Sequence, residues 1–169
     1  PEYRSLPHVS AEHIESGTCK LASLKSAEQD GVSSPNYLFD EGDVLYSKLR
    51  PYLMKAAIAP CRGVCSADMY PVKTVKDVLA PEWLIRTLVS EPFTDYAIAE
   101  SGRSRMPKLN REQLFAWQVA LPPLPTQRRL VTQLNERMAQ VEQMRKGLER
   151  QREAIAALPG ALLEEVFGE

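Results

Sequence analysis

Two patterns of hydrophobic and polar positions divide this chain, and they meet at residues 121–134. Before that stretch, short apolar runs alternate with clusters of proline, glycine and polar residues, which is typical of short strands and helices joined by turns. After it, apolar residues recur every seven positions with Gln, Arg and Glu between them, which predicts one amphipathic helix. The two patterns predict an α+β domain, mixed in its elements, followed by a long C-terminal α-helix.

Within the first part, the pattern predicts individual strands and helices. Strands are predicted at 44–46, 54–59, 69–72 and 117–121. Pro71 places the third of these at a sheet edge, because proline has no N–H to donate to a neighbouring strand. Helices are predicted at 82–88 and 90–98, and a shorter one follows Asn110, whose side chain can cap it.

A proline-rich junction separates the two parts. The prolines at positions 122, 123 and 125 predict an extended connector, because proline fixes φ and lacks an N–H. Thr126 then offers a hydroxyl to the free N–H groups of a starting helix. We therefore expect a globular domain at 1–125 and a helix at 126–169, with a kink near Pro159.

The predicted helix carries a narrow apolar seam. Residues 126–158, at about 1.5 Å each, give a rod of roughly 50 Å. Because so long an isolated seam must be buried against another surface, we predict that the helix forms a coiled coil. The seam residues are Leu130, Leu134, Met138, Val141, Leu148 and Ile155.

Residue types that bind metals or perform catalysis form no recognisable motif. Cys61 and Cys65 are one pair, whereas a structural zinc site needs a second ligand pair, and His8 and His13 are far away in sequence and irregularly spaced. Neither histidine lies in a nucleophile motif, and the glycines are too scattered for a phosphate loop. We interpret the cysteines as structural and expect no metal site and no catalytic residue.

Composition sets the compartment and the charge. No apolar run is long enough to span a membrane, and three cysteines favour reduced thiols in a cytoplasmic compartment. The net charge is −1, yet residues 44–67 and residues 101–111 each contain four basic residues and no acidic one. These two basic windows also contain Ser, Tyr and Asn, a combination that can position and read DNA.

Two segments resemble a known family. The run Gly42-Asp43-Val44-Leu45 through Pro51 resembles a segment of the target recognition domains in type I restriction–modification specificity subunits. The run from Leu121 to Leu134 resembles the connector of that family, Leu-Pro-Pro-Leu-x-x-Gln-x-x-Ile-Val-x-x-Leu, with Leu130 in place of Ile. The similarity extends over most of residues 34–167.

The resemblance implies a DNA-sequence reader without catalysis of its own. Such a subunit reads one half of a bipartite site in double-stranded DNA and docks methyltransferase (M) and restriction (R) subunits. S-adenosylmethionine, ATP and magnesium belong to those partners, in the cytoplasm of a bacterium or archaeon. Because the family's usual subunit has two recognition domains and two helices, we expect a half-subunit or a fragment that lacks its first strands. The helix of a half-subunit has no partner within the chain, so we predict an antiparallel coiled coil, formed by a homodimer or with a second half-subunit.

The basic windows and the resemblance together predict the residues at DNA. They are Lys48, Arg50, Lys55, Arg103, Ser104, Arg105, Lys108 and Asn110. For Asn110, helix capping is an alternative role. Two other functions are open: a coiled-coil adaptor whose globular part binds protein, and a small magnesium-dependent nuclease that uses the acidic turn at 40–43. The recognised DNA sequence cannot be read from one chain.

Overall fold

The computed structural model describes residues 3–32, 36–102 and 105–168, with the backbone alone at 36 and 160–166. The chain divides into two compact units, Pro1–Arg128 and Arg129–Glu169. The first contains two three-stranded sheets and the short helices, and the second consists of most of the long helix.

Six short strands form the two sheets of the first unit. The strands are β1 His8–Val9, β2 Asn36–Phe39, β3 Val44–Ser47, β4 Ala56–Ile58, β5 Gly63–Ser66 and β6 Met69–Val72. One sheet has the order β1-β5-β2, in which β1 is parallel to β5, and the other has the order β4-β3-β6, in which both pairs are antiparallel. The predicted edge position of the proline-containing strand is confirmed, since β6 pairs within its sheet with β3 alone and Pro71 lies opposite Leu45.

The strand β3 lies at the centre of the core. All four of its residues are buried. Because side chains of a strand alternate between its faces, Val44 and Tyr46 pack in one apolar cluster and Leu45 packs in the other. On the first of these faces, the rings of Tyr46 and Phe93 pack edge to face, with their centroids 5.6 Å apart. Apolar packing thus covers both faces of the strand.

The strands β1, β2 and β5 were not predicted, and β5 depends on a tertiary contact. A Cβ at Gly63 would lie 2.5 Å from Phe39 Cζ and 2.5 Å from the carbonyl oxygen of Pro7. Only glycine allows the backbones of β5 and of the segment before β1 to approach so closely. The apolar pattern of residues 1–40 does not carry that information.

In the part of the chain that the structure describes, four α-helices and two short 3₁₀ turns complete the fold. The helices are α1 Pro81–Leu88, α2 Glu91–Glu100, α3 Arg111–Ala116 and α4 Leu124–Phe167, and the 3₁₀ turns are η1 Ala11–His13 and η2 Pro51–Leu53. Both predicted helices with an N-terminal proline are present, with Pro81 and Pro92 in their first turns. The predicted strand at 117–121 is wrong: this segment pairs with no strand, and Trp117 packs instead against the rings of Phe93 and Tyr96.

The helix α4 begins earlier than predicted. It starts at Leu124, with Pro125 in its first turn, and the N–H groups of Thr126 and Gln127 both donate to the carbonyl oxygen of Pro123. The prediction of a start at Thr126 is therefore wrong, because a proline fits the first turn of a helix, where no N–H is needed. The helix is also continuous across Pro159. The kink near that residue stays a prediction.

The side chain of Gln127 anchors the first turn of α4. Its Oε1 accepts from the backbone N–H of Ala80 at 2.9 Å, and its Nε2 donates to the carbonyl oxygens of Val78 and Pro122 at 2.8 and 2.7 Å. Gln127 is fully buried. A buried amide with three satisfied hydrogen bonds fixes the first turn against the loop that precedes α1.

We predict that Gln127→Ala destabilises the first unit by about 2–4 kcal/mol, because it leaves a cavity and a buried N–H without an acceptor. Urea unfolding followed by tryptophan fluorescence measures this, since Trp83 and Trp117 both lie in that unit. The exposed Gln133→Ala on the same helix is the matched control and is expected to change the free energy of unfolding by less than about 0.5 kcal/mol. Equal effects of the two substitutions would contradict the anchoring role.

Candidate nucleic-acid interface

The structure joins the two basic windows by backbone pairing. The N–H of Arg50 donates to the carbonyl oxygen of Pro107 at 2.8 Å, and the N–H of Leu109 donates to that of Lys48 at 2.9 Å. Leu49 and Lys108 form an antiparallel bridge between these bonds. Residues 48–50 and 107–109, far apart in sequence, therefore form one structure, which we call the basic ribbon.

Tyr70 lies beside the basic ribbon and contacts both of its sides. Its ring centroid is 5.3 Å from the Lys48 ammonium nitrogen and 6.0 Å from the Arg111 guanidinium carbon. Its hydroxyl donates to the carbonyl oxygen of Leu109 at 3.4 Å. Burial raises the pKa of Tyr70, while Arg111 lowers it. The ring thus supports the ribbon through cation–π contacts.

Lys48 is part of the support and not of the exposed surface. It is buried, and its ammonium group donates to the carbonyl oxygen of Ala67 and lies 3.7 Å from the Asp68 carboxylate. Burial, followed by the charge of Lys108, lowers the pKa of Lys48. Because this ammonium group is already engaged inside the domain, we leave Lys48 out of the DNA-facing set.

Two more predicted residues are engaged within the protein. The ammonium group of Lys55 donates to the carbonyl oxygen of Ala11 at 2.7 Å. The side chain of Asn110 accepts from the N–H of Gln113 at 2.8 Å, and Gln113 returns a bond to the N–H of Asn110, which completes a capping box at the start of α3. The capping role considered for Asn110 is thus confirmed.

Three of the predicted cations, Arg50, Arg105 and Lys108, are exposed. Arg50 and Met54 flank η2 in left-handed backbone conformations, with φ values of 50° and 47°. Such non-glycine residues store strain and occur preferentially at functional sites. The other two predicted residues, Arg103 and Ser104, lie outside the described residues.

Sequence reasoning missed three side chains of this site: Tyr52, Tyr70 and Arg111. Tyr52 lies between Arg50 and Met54 and is 48 % exposed, next to a buried Pro51 that anchors the turn. The presence of Tyr52 and Arg111 in the basic windows was a usable signal. Tyr70 lies outside both windows, and only the tertiary structure brings it to them.

The acidic turn at 40–43 is occupied by internal interactions. The Asp43 carboxylate accepts from the backbone N–H of Asp40 at 2.9 Å. The Asp40 carboxylate accepts from the Lys73 ammonium group at 2.6 Å and lies 3.9 Å from the Arg62 guanidinium group. The hydrogen bond from Lys73, followed by its charge, lowers the pKa of Asp40. Among the described residues, the one candidate metal-binding cluster does not include this turn.

The cysteines of the first unit are free thiols. Cys65 is buried in β5, and burial raises its pKa to about 12, which makes it unreactive at neutral pH. Cys61 is half-buried. These properties favour the structural interpretation of the pair.

The second unit presents an apolar stripe along its helix. Side chains of the predicted seam are 40 % exposed at Leu134, 59 % at Val141 and 66 % at Ile155. The complete set of seam residues exposed in this single chain is Leu134, Met138, Val141, Leu148 and Ile155, while Leu130 is half-buried. No helix among the described residues is both long enough and apolar enough to cross a membrane.

Comparison with known proteins gives one consistent result. The chain is 34% identical over 166 residues to the type I restriction enzyme EcoDI specificity subunit of Escherichia coli, a match that covers 98% of this chain and 37% of that subunit. No protein-family model matches the chain.

Two solved structures share its fold. The HsdS subunit from Thermoanaerobacter tengcongensis superimposes with a TM-score of 0.81 at 24% identity. A chain from a structural study of complex assembly and conformational transition in the type I R-M system superimposes with a TM-score of 0.84 at 25% identity. Each alignment covers 97% of this chain and 43% of the other. The chain thus spans about two fifths of the length of these relatives.

We predict that Lys48→Ala lowers the free energy of unfolding by about 1–3 kcal/mol, because it removes a packed aliphatic stem and leaves the Ala67 carbonyl oxygen without its donor. Urea unfolding of the exposed Arg105→Ala variant is the control, with a change expected within about 0.5 kcal/mol. If Lys48→Ala is as stable as the unsubstituted chain, the ammonium group is free, and Lys48 returns to the DNA-facing set.

Proposed function

We propose that the chain, which is similar to one part of a type I restriction enzyme specificity subunit, is a sequence-specific DNA-binding unit that reads one half of a bipartite site. The observation that carries this proposal is the backbone pairing of residues 48–50 with residues 107–109. It concentrates cations from two distant windows on one structure that is supported from within by Tyr70.

The exposed side chains on the basic ribbon and in the segments that adjoin it have complementary roles in this proposal. Arg50 and Arg105 have guanidinium groups that can fork onto the N7 and O6 acceptors of guanine in the major groove. Lys108 supplies a point charge for a phosphate. Tyr52 adds an exposed aromatic ring beside Arg50, able to pack against sugars or base edges.

In the same proposal the helix α4 pairs with another helix. It has 44 residues, which at about 1.5 Å each give a length of about 66 Å, well beyond one turn of B-DNA at about 34–36 Å. Antiparallel pairing with a second copy, or with the helix of a second half-subunit, buries the apolar stripe and sets the spacing between two half-sites. The helices also dock the methyltransferase and restriction subunits.

Catalysis belongs to those partners in this proposal. S-adenosylmethionine serves the methyltransferase subunit, and ATP and magnesium serve the restriction subunit. The chain itself supplies recognition and spacing, in keeping with the internal hydrogen bonds of the Asp40 and Asp43 carboxylates.

Binding to DNA is tested with Arg50→Ala combined with Arg105→Ala. Selection from a random duplex pool identifies the preferred sequence, and anisotropy at several salt concentrations then measures affinity. We expect the double variant to lose about 1–3 kcal/mol for each base-reading arginine, whereas Lys108→Ala weakens all sequences alike and reduces the salt slope by about one.

The control for this measurement is Lys20→Ala combined with Lys76→Ala, which removes two exposed cations outside the basic windows. We expect it to retain the preferred sequence and most of the affinity. A chain that selects no sequence and shows no salt-dependent binding to DNA is better explained as a protein-interaction adaptor. Magnesium-dependent cleavage by the chain alone would instead favour a nuclease.

Helix pairing is tested with Val141→Asp combined with Leu148→Asp, which places two charges in the apolar stripe. We expect the dimer measured by light scattering at micromolar concentration to become a monomer, because buried unpaired charges are costly. The control adds two aspartates away from the stripe, as Ala139→Asp with Gln143→Asp, and is expected to remain dimeric. A monomeric unsubstituted chain, or association unaffected by the stripe charges, would contradict self-pairing.

A further inference from the structure

A second cluster of chemically active side chains lies near the start of the first unit, in residues that the basic ribbon does not use. His8 Nδ1 donates to Asp30 Oδ2 at 2.8 Å, and His13 Nε2 lies 3.5 Å from the same oxygen. Each of the three residues offers a ligand atom, and these atoms all lie within 4.8 Å of one another. It is the one group of three or more such side chains with metal-binding geometry among the described residues.

Three separate elements bring these residues together. His8 lies in β1, which is held parallel to β5, and His13 is the last residue of η1. Asp30 belongs to a turn, in which its backbone N–H donates to the carbonyl oxygen of Ser26 at 3.0 Å. Because each residue is fixed by its own backbone hydrogen bonds, the convergence does not depend on one flexible loop.

The geometry is close to that of a bound transition metal. Bonds of about 2.0–2.2 Å to a tetrahedral ion place neighbouring ligand atoms roughly 3.3 Å apart. The two observed distances to Asp30 Oδ2, 2.8 and 3.5 Å, lie on either side of that value. An ion therefore fits after side-chain movements of the order of an ångström.

We propose that His8, His13 and Asp30 form a binding site for a divalent transition-metal ion of the zinc class. Two imidazoles and one carboxylate select zinc, cobalt, nickel or iron over magnesium and calcium, which prefer an all-oxygen shell. Three protein ligands leave a coordination position for water on the side where His13 and Asp30 remain partly exposed. The ion cross-links β1, η1 and the turn at Asp30, and this inference does not rest on the proposed DNA binding.

Metal binding changes the tautomers of both histidines. In the cluster without metal, the backbone N–H of Ser10 donates to His13 Nδ1 at 3.0 Å, so the proton of His13 is on Nε2. With Nε2 on the metal, that proton moves to Nδ1, which then loses the hydrogen bond from the Ser10 N–H and donates instead to the Ser10 hydroxyl oxygen, 3.2 Å away. His8 binds through Nδ1 and carries its proton on Nε2, a buried atom without a hydrogen-bond partner in the protein. These exchanges limit the affinity, and we expect it to be micromolar.

The experiment uses zinc chloride as the probe and two readouts that are independent of DNA. Isothermal titration is expected to give one zinc ion per chain, and thermal unfolding at a zinc concentration about 100 times Kd is expected to raise Tm by about 5 °C. Replacement by cobalt is expected to give visible absorption bands without a thiolate-to-cobalt band, since the ligands are nitrogen and oxygen.

The decisive variants are His13→Gln and Asp30→Asn. Glutamine at position 13 keeps the capping box with Ser10, because its side-chain oxygen replaces Nδ1 as the acceptor, while the imidazole ligand is lost. Both variants are expected to fold and to lose the zinc-dependent rise in Tm. Cys19→Ser combined with Cys61→Ser, which removes the partly exposed thiols, is expected to bind zinc as before.

Three results would overturn the proposal. One is a chain that takes up no zinc by titration and shows no rise in Tm. Another is binding that persists unchanged in both His13→Gln and Asp30→Asn. The third is binding that disappears in the double cysteine variant. In each case the three residues form only a polar cluster around the Asp30 carboxylate.

Discussion

Burial of the strand β3 on both of its faces is the constraint on which the first unit depends. Tyr46 and Val44 belong to one apolar cluster and Leu45 to the other, so no residue of this strand can move without disturbing the packing of one of them. The chain leaves β3 directly into Lys48, Leu49 and Arg50, and the pairing of this segment with residues 107–109 continues the order of the strand. The rigid core thereby fixes the position of the basic ribbon, and a site built on a rigid element holds its side chains more accurately than a free loop does.

The division of the cations into engaged and exposed groups follows from the same packing. The ammonium groups of Lys48 and Lys55 donate hydrogen bonds to backbone carbonyl oxygens, and Asn110 caps a helix. These side chains therefore stabilise the domain through internal hydrogen bonds. The side chains of Arg50, Arg105 and Lys108 remain exposed to solvent. A net charge of −1 therefore coexists with a locally cationic surface, because acidic residues such as Asp40 lie outside the two basic windows, where Lys73 pairs with the Asp40 carboxylate. Association with a polyanion depends on this local arrangement and not on the total charge.

Sequence reasoning succeeded where the signal is local. The strand with Pro71 is at an edge, and Pro81 and Pro92 lie in first turns, because proline acts through its own backbone geometry. Sequence reasoning failed where a segment's conformation depends on contacts with residues that are distant in sequence. The segment 117–121 has the alternation of a strand, but Trp117 is held by two aromatic rings from α2. Residues 1–40 contain few periodic positions, and β1 exists because Gly63 allows β5 to come close to Pro7. His8 and His13 were set aside as zinc ligands beside Cys61 and Cys65 because of their sequence spacing, and Asp30 was not considered with them. Sequence spacing does not show that the fold brings these three residues together.

The sequence by itself determined the α+β class, the long amphipathic helix and the proline-rich junction between them, because periodicity and proline content act over short range. It also located both basic windows, since charge can be read directly from the residues. Only the tertiary structure decided that the windows are adjacent, which of their side chains are free, and that Gln127 bonds to residues 78 and 80. The physical reason is that hydrogen bonds and burial depend on groups that are many residues apart, and no local pattern encodes which of them will meet.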